Sequence, residues 1–233
     1  MAEHSLAEML QRETLTGLRF VDVGCGSGLF SLAARRLGAS VLSFDFDPQA
    51  VACAEELRQR YCLGDTGWQI VRGSVLDRDW LAGFGRFDIV YSWGVLHHTG
   101  NMTESLANVG RLVAPGGALF IAIYNDQGWV SCYWRAVKRT FNGGFAQRLA
   151  MIALHAPYLL GLRWVVRGLA GRLRLERGMS LWHDMLDWLG GYPFEVARPE
   201  RILDLFRQDG FVLEKMRTCG GRHGCNEFVF RRG

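Results

Sequence analysis

The 233-residue chain contains no Cys-x-x-Cys pair; its six cysteines, Cys25, Cys53, Cys62, Cys132, Cys219 and Cys225, are scattered. Scattered thiols argue against a disulfide framework and for the reducing conditions of a cytoplasm. No run of 18 or more uncharged apolar residues occurs, so no segment is expected to span a bilayer. The start, Met1-Ala2-Glu3-His4-Ser5, lacks the basic residues and apolar stretch of a secretory signal, which again leads to the expectation of a cytoplasmic protein. No internal repeat, low-complexity tract or RNA- or DNA-binding motif is found. The net charge of +4 is too small to call for nucleic acid by itself. With 49% apolar and 21% charged residues, the chain reads as globular, long enough for one domain and an insertion.

The organising stretch is Phe20-Val21-Asp22-Val23-Gly24-Cys25-Gly26-Ser27-Gly28. An apolar run ends in an acid, and three glycines follow at every second position. This predicts a buried parallel strand that enters a tight turn and then opens a helix at Leu29. A helix start there points unpaired N–H groups at a ligand. The remaining pattern alternates. Strands are expected at 18–23, 41–44, 68–72, 87–92 and 118–123, and helices at 29–37, 48–61 and 103–113, after a lead-in helix over 5–16. The alternation stops at 125–200 and returns as a helix over 201–208 and strands over 211–216 and 227–230. Such alternation means an α/β fold with a doubly wound, mostly parallel sheet of about seven strands, its ligand at the strands' carboxyl ends.

The pattern Asp-x-Gly-x-Gly-x-Gly over Asp22–Gly28 resembles the first motif of class I S-adenosylmethionine-dependent methyltransferases, in their small-molecule branch. A dinucleotide fingerprint would place its third glycine on Leu29 instead. The resemblance implies a Rossmann-like sheet closed by a C-terminal antiparallel hairpin. It also implies S-adenosylmethionine as cofactor and S-adenosylhomocysteine as product. On that reading Asp22 and the turn Gly24-Cys25-Gly26 hold the cofactor's amino-acid end, Asp22 having as its alternative a turn-capping role. Asp45 ends the second strand, 23 residues after Asp22, and takes the ribose hydroxyls, while Asp47 caps the helix opened by Pro48. Phe46 and Val75 would cover the adenine. Ser74 stands where the family often carries an acid, with Asp77 or a backbone group as a substitute.

Beyond the fourth strand, Trp93-Gly94-Val95-Leu96-His97-His98 resembles the segment where the family commonly places a histidine near the methyl group. Trp93 would line the cofactor's methionine portion and the substrate. His98, and less so His97, is the candidate base, since a histidine titrates near neutrality; the alternative is a structural histidine. Tyr124, Asn125 and Asp126 leave the fifth strand at the same edge and are candidate substrate contacts, with turn formation as the other reading of Asn125 and Asp126. Cys219, His223 and Cys225 match no zinc spacing and have no fourth ligand, so no metal is expected.

Residues 1–124 and 200–233 are thus expected to form the catalytic domain, and 125–199 an inserted helical cap or substrate region. From Trp129 to Gly178 there are nine basic residues and one acid, Glu176, a net charge of +8. Apolar residues such as Phe145, Leu149, Leu154 and Trp164 fill the gaps. The plain reading is a lid whose apolar face packs on the sheet domain and whose basic face is solvated. The sharper ones are an acidic or lipid-linked substrate or an anionic membrane surface. The expected activity is methyl transfer to an oxygen or nitrogen of a small molecule. The alternatives are methylation of a peptide or RNA docked on the basic segment, and a cofactor-binding scaffold without catalysis. The sequence does not indicate an oligomeric state.

Overall fold

The structure, a computed structural model, describes residues 1–162, 181–221 and 224–233. They fall into two compact units, Met1–Asp126 with Val196–Gly233, and Gln127–Glu195.

In the first unit, apolar runs bounded by turn residues become strands: β1 (Arg19–Val23), β2 (Ser40–Asp45), β3 (Trp68–Arg72), β4 (Phe87–Trp93), β5 (Val113–Tyr124), β6 (Phe211–Arg217) and β7 (Cys225–Arg232). They form one sheet in the order β3-β2-β1-β4-β5-β7-β6. The first five are parallel, whereas β7 runs antiparallel to both β5 and β6. This is the expected doubly wound sheet with a closing hairpin. The central strands are buried along nearly their whole length, as strands covered on both faces must be. One face packs Val21, Val23, Val90 and Leu119 with Phe206, and the other packs Phe20, Tyr91 and Phe120 with Leu6 and Leu32. Because β1 pairs with both β2 and β4, the crossovers diverge there and leave a crevice at the strands' carboxyl ends.

The helices of this unit are α1 (Ala2–Leu10), α2 (Leu29–Arg36), α3 (Pro48–Tyr61), α4 (Arg78–Ala82) and α5 (Met102–Leu112), with Pro199–Gln208 late in the chain. The lead-in helix sits earlier than the expected 5–16 because the chain turns left-handed at Gln11 (φ 53). β5 starts earlier than expected because Val113 already pairs with Phe87. α4, five residues long, carries too little periodicity to be anticipated. Asp47 caps α3 as expected, its carboxylate accepting from Gln49 N at 2.9 Å with Pro48 in the first turn. Asp47→Ala should lower stability by about 1 kcal/mol through that lost cap. Chemical denaturation checks the cost, and calorimetry should find cofactor affinity unchanged.

The second unit contains α6 (Trp129–Phe141), α7 (Phe145–Ala156), a wider π turn over Pro157–Leu162 and α8 (Leu181–Gly190); the late helix Pro199–Gln208 of the first unit is α9. Trp134, Val137, Phe141, Met185, Leu189 and Phe194 are buried in it. Lys138 is buried as well, its ammonium donating to the Trp188 carbonyl and lying 4.0 Å from the Trp188 ring centroid. Burial pulls its pKa down to about 7. Arg163, Trp164 and the basic residues that follow to Arg177 lie outside the described residues, as does His223. No helix among the described residues is long and apolar enough to cross a membrane.

Candidate active site

The glycine turn leaves β1 at the crevice. Gly24 (φ 74) and Gly26 (φ 52) adopt a backbone that side chains disfavour. Gly24 is also sterically obliged, since a Cβ there would lie 2.4 Å from Val95 Cγ1. Gly26 differs: nothing stands within 4 Å of such a Cβ, so its backbone faces open space, as a ligand lying directly on the turn requires. The Gly26 N–H donates to Asp45 Oδ2 at 3.0 Å, and the other oxygen of Asp45 accepts from Asp47 N at 3.0 Å. Asp45 therefore braces the turn from the end of the neighbouring strand. The sequence contained no sign of this, because the two residues meet only when β1 and β2 pair.

Asp22 is buried, and Ser31 Oγ donates to its Oδ2 at 2.5 Å. Ser31 accepts from Ser43 (2.7 Å), and Ser43 accepts from the Trp68 indole N–H (2.8 Å), giving a relay of donors that ends on the carboxylate. Burial nevertheless pushes the Asp22 pKa up to about 7; the Ser31 bond opposes the shift and the nearby Asp45 adds to it. Ser31, Ser43 and Trp68 were not anticipated. Trp93 and Glu227 meet across 134 positions, the indole N–H donating to Glu227 Oε1 at 2.9 Å. Glu227 also pairs with Arg217 (3.4 Å), which reaches Glu8 of α1 at 2.6 Å. Beside Asp22, the Tyr91 hydroxyl is buried without a hydrogen-bond partner among the described residues. Burial of the Cys25 thiol, with the Asp22 and Asp45 charges adding to it, raises its pKa well above the usual range and keeps it protonated.

The two candidate histidines occupy a single 3₁₀ turn, Leu96–His98, and differ sharply in environment. His97 is fully buried; its Nδ1 accepts from Tyr124 N at 3.4 Å and its ring lies 4.0 Å from that of Tyr124. A fully buried ring that receives the amide at the end of β5 has the surroundings of the structural alternative. His98 is half-buried, edge-on to the Tyr124 ring at 5.5 Å.

The other expected contacts divide. Val75 is buried in the core, and Phe46 is exposed with the Arg72 guanidinium 5.9 Å from its ring centroid. Ser74 Oγ accepts from Leu76 N at 3.2 Å. Asp77 caps α4, one of its carboxylate oxygens accepting from Trp80 N at 3.1 Å. Asn125 Oδ1 accepts from Asn226 Nδ2 at 3.0 Å, while Asp126 lies 3.9 Å from Arg198. Among the described residues no three His, Cys, Asp or Glu side chains converge as a metal site requires.

A family described as "Methyltransferase domain" matches residues 2–189. The ubiquinone biosynthesis O-methyltransferase of Caulobacter vibrioides is 30% identical over 157 residues, 67% of this chain and 53% of that protein. The chain spans about half the length of the curated relatives it matches. Magnesium protoporphyrin IX methyltransferase from Synechocystis PCC 6803, solved with S-adenosylhomocysteine, superposes with a TM-score of 0.60 at 16% identity, covering 100% of this chain and 82% of that one. An S-adenosylmethionine-dependent methyltransferase from Mesorhizobium loti does so with 0.59 at 19% identity, covering 100% and 98%. At such identities the structures speak for the fold alone.

Proposed function

The chain belongs to the class I S-adenosylmethionine-dependent methyltransferase family, and from that premise we propose that it methylates an oxygen or nitrogen of a small molecule. The observation that carries this reading is the open backbone at Gly26, flanked by the carboxylates of Asp22 and Asp45 at adjacent strand ends. These residues suit the cofactor's parts: Asp22 its cationic amino-acid end, Asp45 its ribose hydroxyls, and the exposed ring of Phe46 its base. When bound, S-adenosylmethionine supplies a methyl group already activated by a sulfonium. The chain's own task is to align a nucleophile with it and to take a proton away. His98, in the 3₁₀ turn after β4, is the proposed acceptor of that proton, with Tyr124 and Asn125 orienting the substrate. Names of the curated relatives favour oxygen over nitrogen, and the many basic residues of 129–178 favour an acidic or lipid-linked acceptor.

The test is direct. Calorimetry should register S-adenosylmethionine binding, and a panel of hydroxyl acceptors should yield S-adenosylhomocysteine. Absence of cofactor binding at millimolar concentration sinks the reading. Binding without turnover on any acceptor would favour the scaffold.

Asp22 adds a pH signature. A cationic ammonium is held by the ionised carboxylate, whereas the free protein keeps Asp22 protonated up to about pH 7. Affinity should therefore rise about tenfold per pH unit between about 5 and 6.5 and flatten above about 7. The same shift acts on stability in the opposite sense: a carboxyl with a raised pKa favours the fold at low pH. The ligand-free protein should lose stability as pH rises from about 4 to about 7, where only the unfolded chain has ionised. Calorimetry across this range, with Asp22→Asn as control, checks both; a pH-independent affinity would remove Asp22 from the cofactor contacts.

A further inference from the structure

The edge of the sheet opposite the glycine turn carries a cluster of positive charge. A cavity of about 270 Å³ opens there between α4 and α5, with Arg78, Arg86, Arg111, Asn108, Leu81 and Leu112 in its walls. Arg86 leads into β4, and Arg111 and Leu112 end α5 just before β5. The cavity therefore lies at the amino ends of parallel strands whose carboxyl ends form the crevice. Three guanidinium groups share this one hollow, and among the described residues no carboxylate lines it. Asp79 and Asp88 lie close to these arginines in sequence, yet neither is in the wall; Asp88 accepts from the Arg19 amide at 2.8 Å instead. The side chains of Arg78 and Arg86 are exposed and have no hydrogen bond or ion pair among the described residues.

The carbonyl groups nearby are already served by other arginines. Arg232 donates to the Gly110 and Val113 carbonyls at 3.1 and 3.0 Å, and Arg19 to those of Phe84 and Arg86 at 2.9 and 2.6 Å. The negative end of α5 thus has its cation without Arg111. Arg111 is held by a different contact. Asn108, only 2% exposed, accepts from the Arg111 guanidinium at 2.8 Å and donates to the Val75 carbonyl at 2.9 Å. Like charges gathered around one hollow repel unless an anion neutralises them. A phosphate monoester brings about −1.5 to −2 charges at neutral pH and oxygens that match guanidinium forks, whereas a carboxylate brings a single charge. The cavity lies just below the ~300 Å³ at which typical ligand pockets begin, a size for one phosphate with a small organic body. We propose that it binds a small soluble phosphate monoester, with Arg78, Arg86 and Arg111 on the phosphate oxygens and Leu81 and Leu112 beneath the organic body. This site is separate from the crevice, and the inference stands independently of the methyl-transfer reading.

The experiment is calorimetry of the full chain with phenyl phosphate at low salt, with benzoate as the carboxylate control. Phenyl phosphate should bind saturably, benzoate more weakly, and both less well at about 0.5 M salt. Arg78→Gln with Arg86→Gln should weaken phenyl phosphate about tenfold or more, the loss expected when hydrogen bonds to a charged group go. The melting temperature should stay unchanged, because neither side chain has a partner among the described residues. Amide resonances of Gly85 and Asn108 should shift on titration while those of Gly24 and Gly26 stay still, and S-adenosylmethionine should not displace the ligand. No saturable binding at millimolar concentration, equal affinity for benzoate, or undiminished affinity in the folded double variant would overturn the proposal. Competition with S-adenosylmethionine would move the phosphate to the glycine turn and overturn it too. So would RNA retention or flotation with phosphatidylglycerol vesicles that the double variant loses while free phenyl phosphate fails to bind, since the arginines would then serve a polyanion or a headgroup.

Discussion

Replacing His98 by alanine should lower turnover by roughly 10²–10⁴-fold, the contribution of a positioned general base. The side chain is half-buried in the 3₁₀ turn that follows β4, beside the Tyr124 ring, and β4 pairs with the strand that delivers the glycine turn. Cofactor affinity should hardly move, because the groups proposed to hold the cofactor sit on β1 and β2. His97→Ala should behave differently. It removes the acceptor of the Tyr124 amide and a fully buried ring, so it should cost roughly 1–3 kcal/mol of stability, the penalty for an unpaired buried donor. Single-turnover methyl transfer and thermal melting on both variants, with an identified acceptor, separate the two. Normal transfer by a folded His98→Ala protein would make His98 structural and move the search for the base to Tyr124 or Asp126.

Asp45→Ala should weaken S-adenosylmethionine binding by about 1.5–3 kcal/mol, or about 10- to 150-fold. Two losses combine. One is the proposed contact to the ribose, and the other is the brace on the Gly26 and Asp47 amides, without which the turn is held less firmly. Asp45→Asn tells them apart. An amide oxygen can still accept from Gly26 but carries no charge, so its affinity should fall between the wild type and the alanine variant. Isothermal calorimetry measures all three. An unchanged Asp45→Ala protein, or Asp47→Ala as the weaker binder, would reverse the roles given to the two carboxylates.

The sheet was legible because its signals are local. Apolar runs such as Val41–Phe44 and Ile89–Tyr91, broken by glycine and proline, state where a strand starts and stops. Asp47 followed by Pro48 states how a helix begins. The glycine turn was legible for the same reason, since its three glycines answer to the backbone of one short stretch.

What lay hidden depends on residues far apart in the chain. The relay from Trp68 through Ser43 and Ser31 to Asp22, and the ties of Trp93 to Glu227 and of Gly26 to Asp45, arise only when strands pair and pleat in register. The two histidines show the limit most plainly: adjacent and chemically identical, they are separated by burial alone. The same holds for Leu149 and Leu154, which hydropathy would send inward and which the fold leaves in solvent. By itself the sequence determined the order of elements, the glycine turn and the family, because periodicity and turn chemistry act over a few residues. Only the tertiary structure decided that burial raises the pKa of Asp22, which histidine is buried and which apolar side chains stay exposed, because desolvation and exposure are properties of a side chain's neighbours in space.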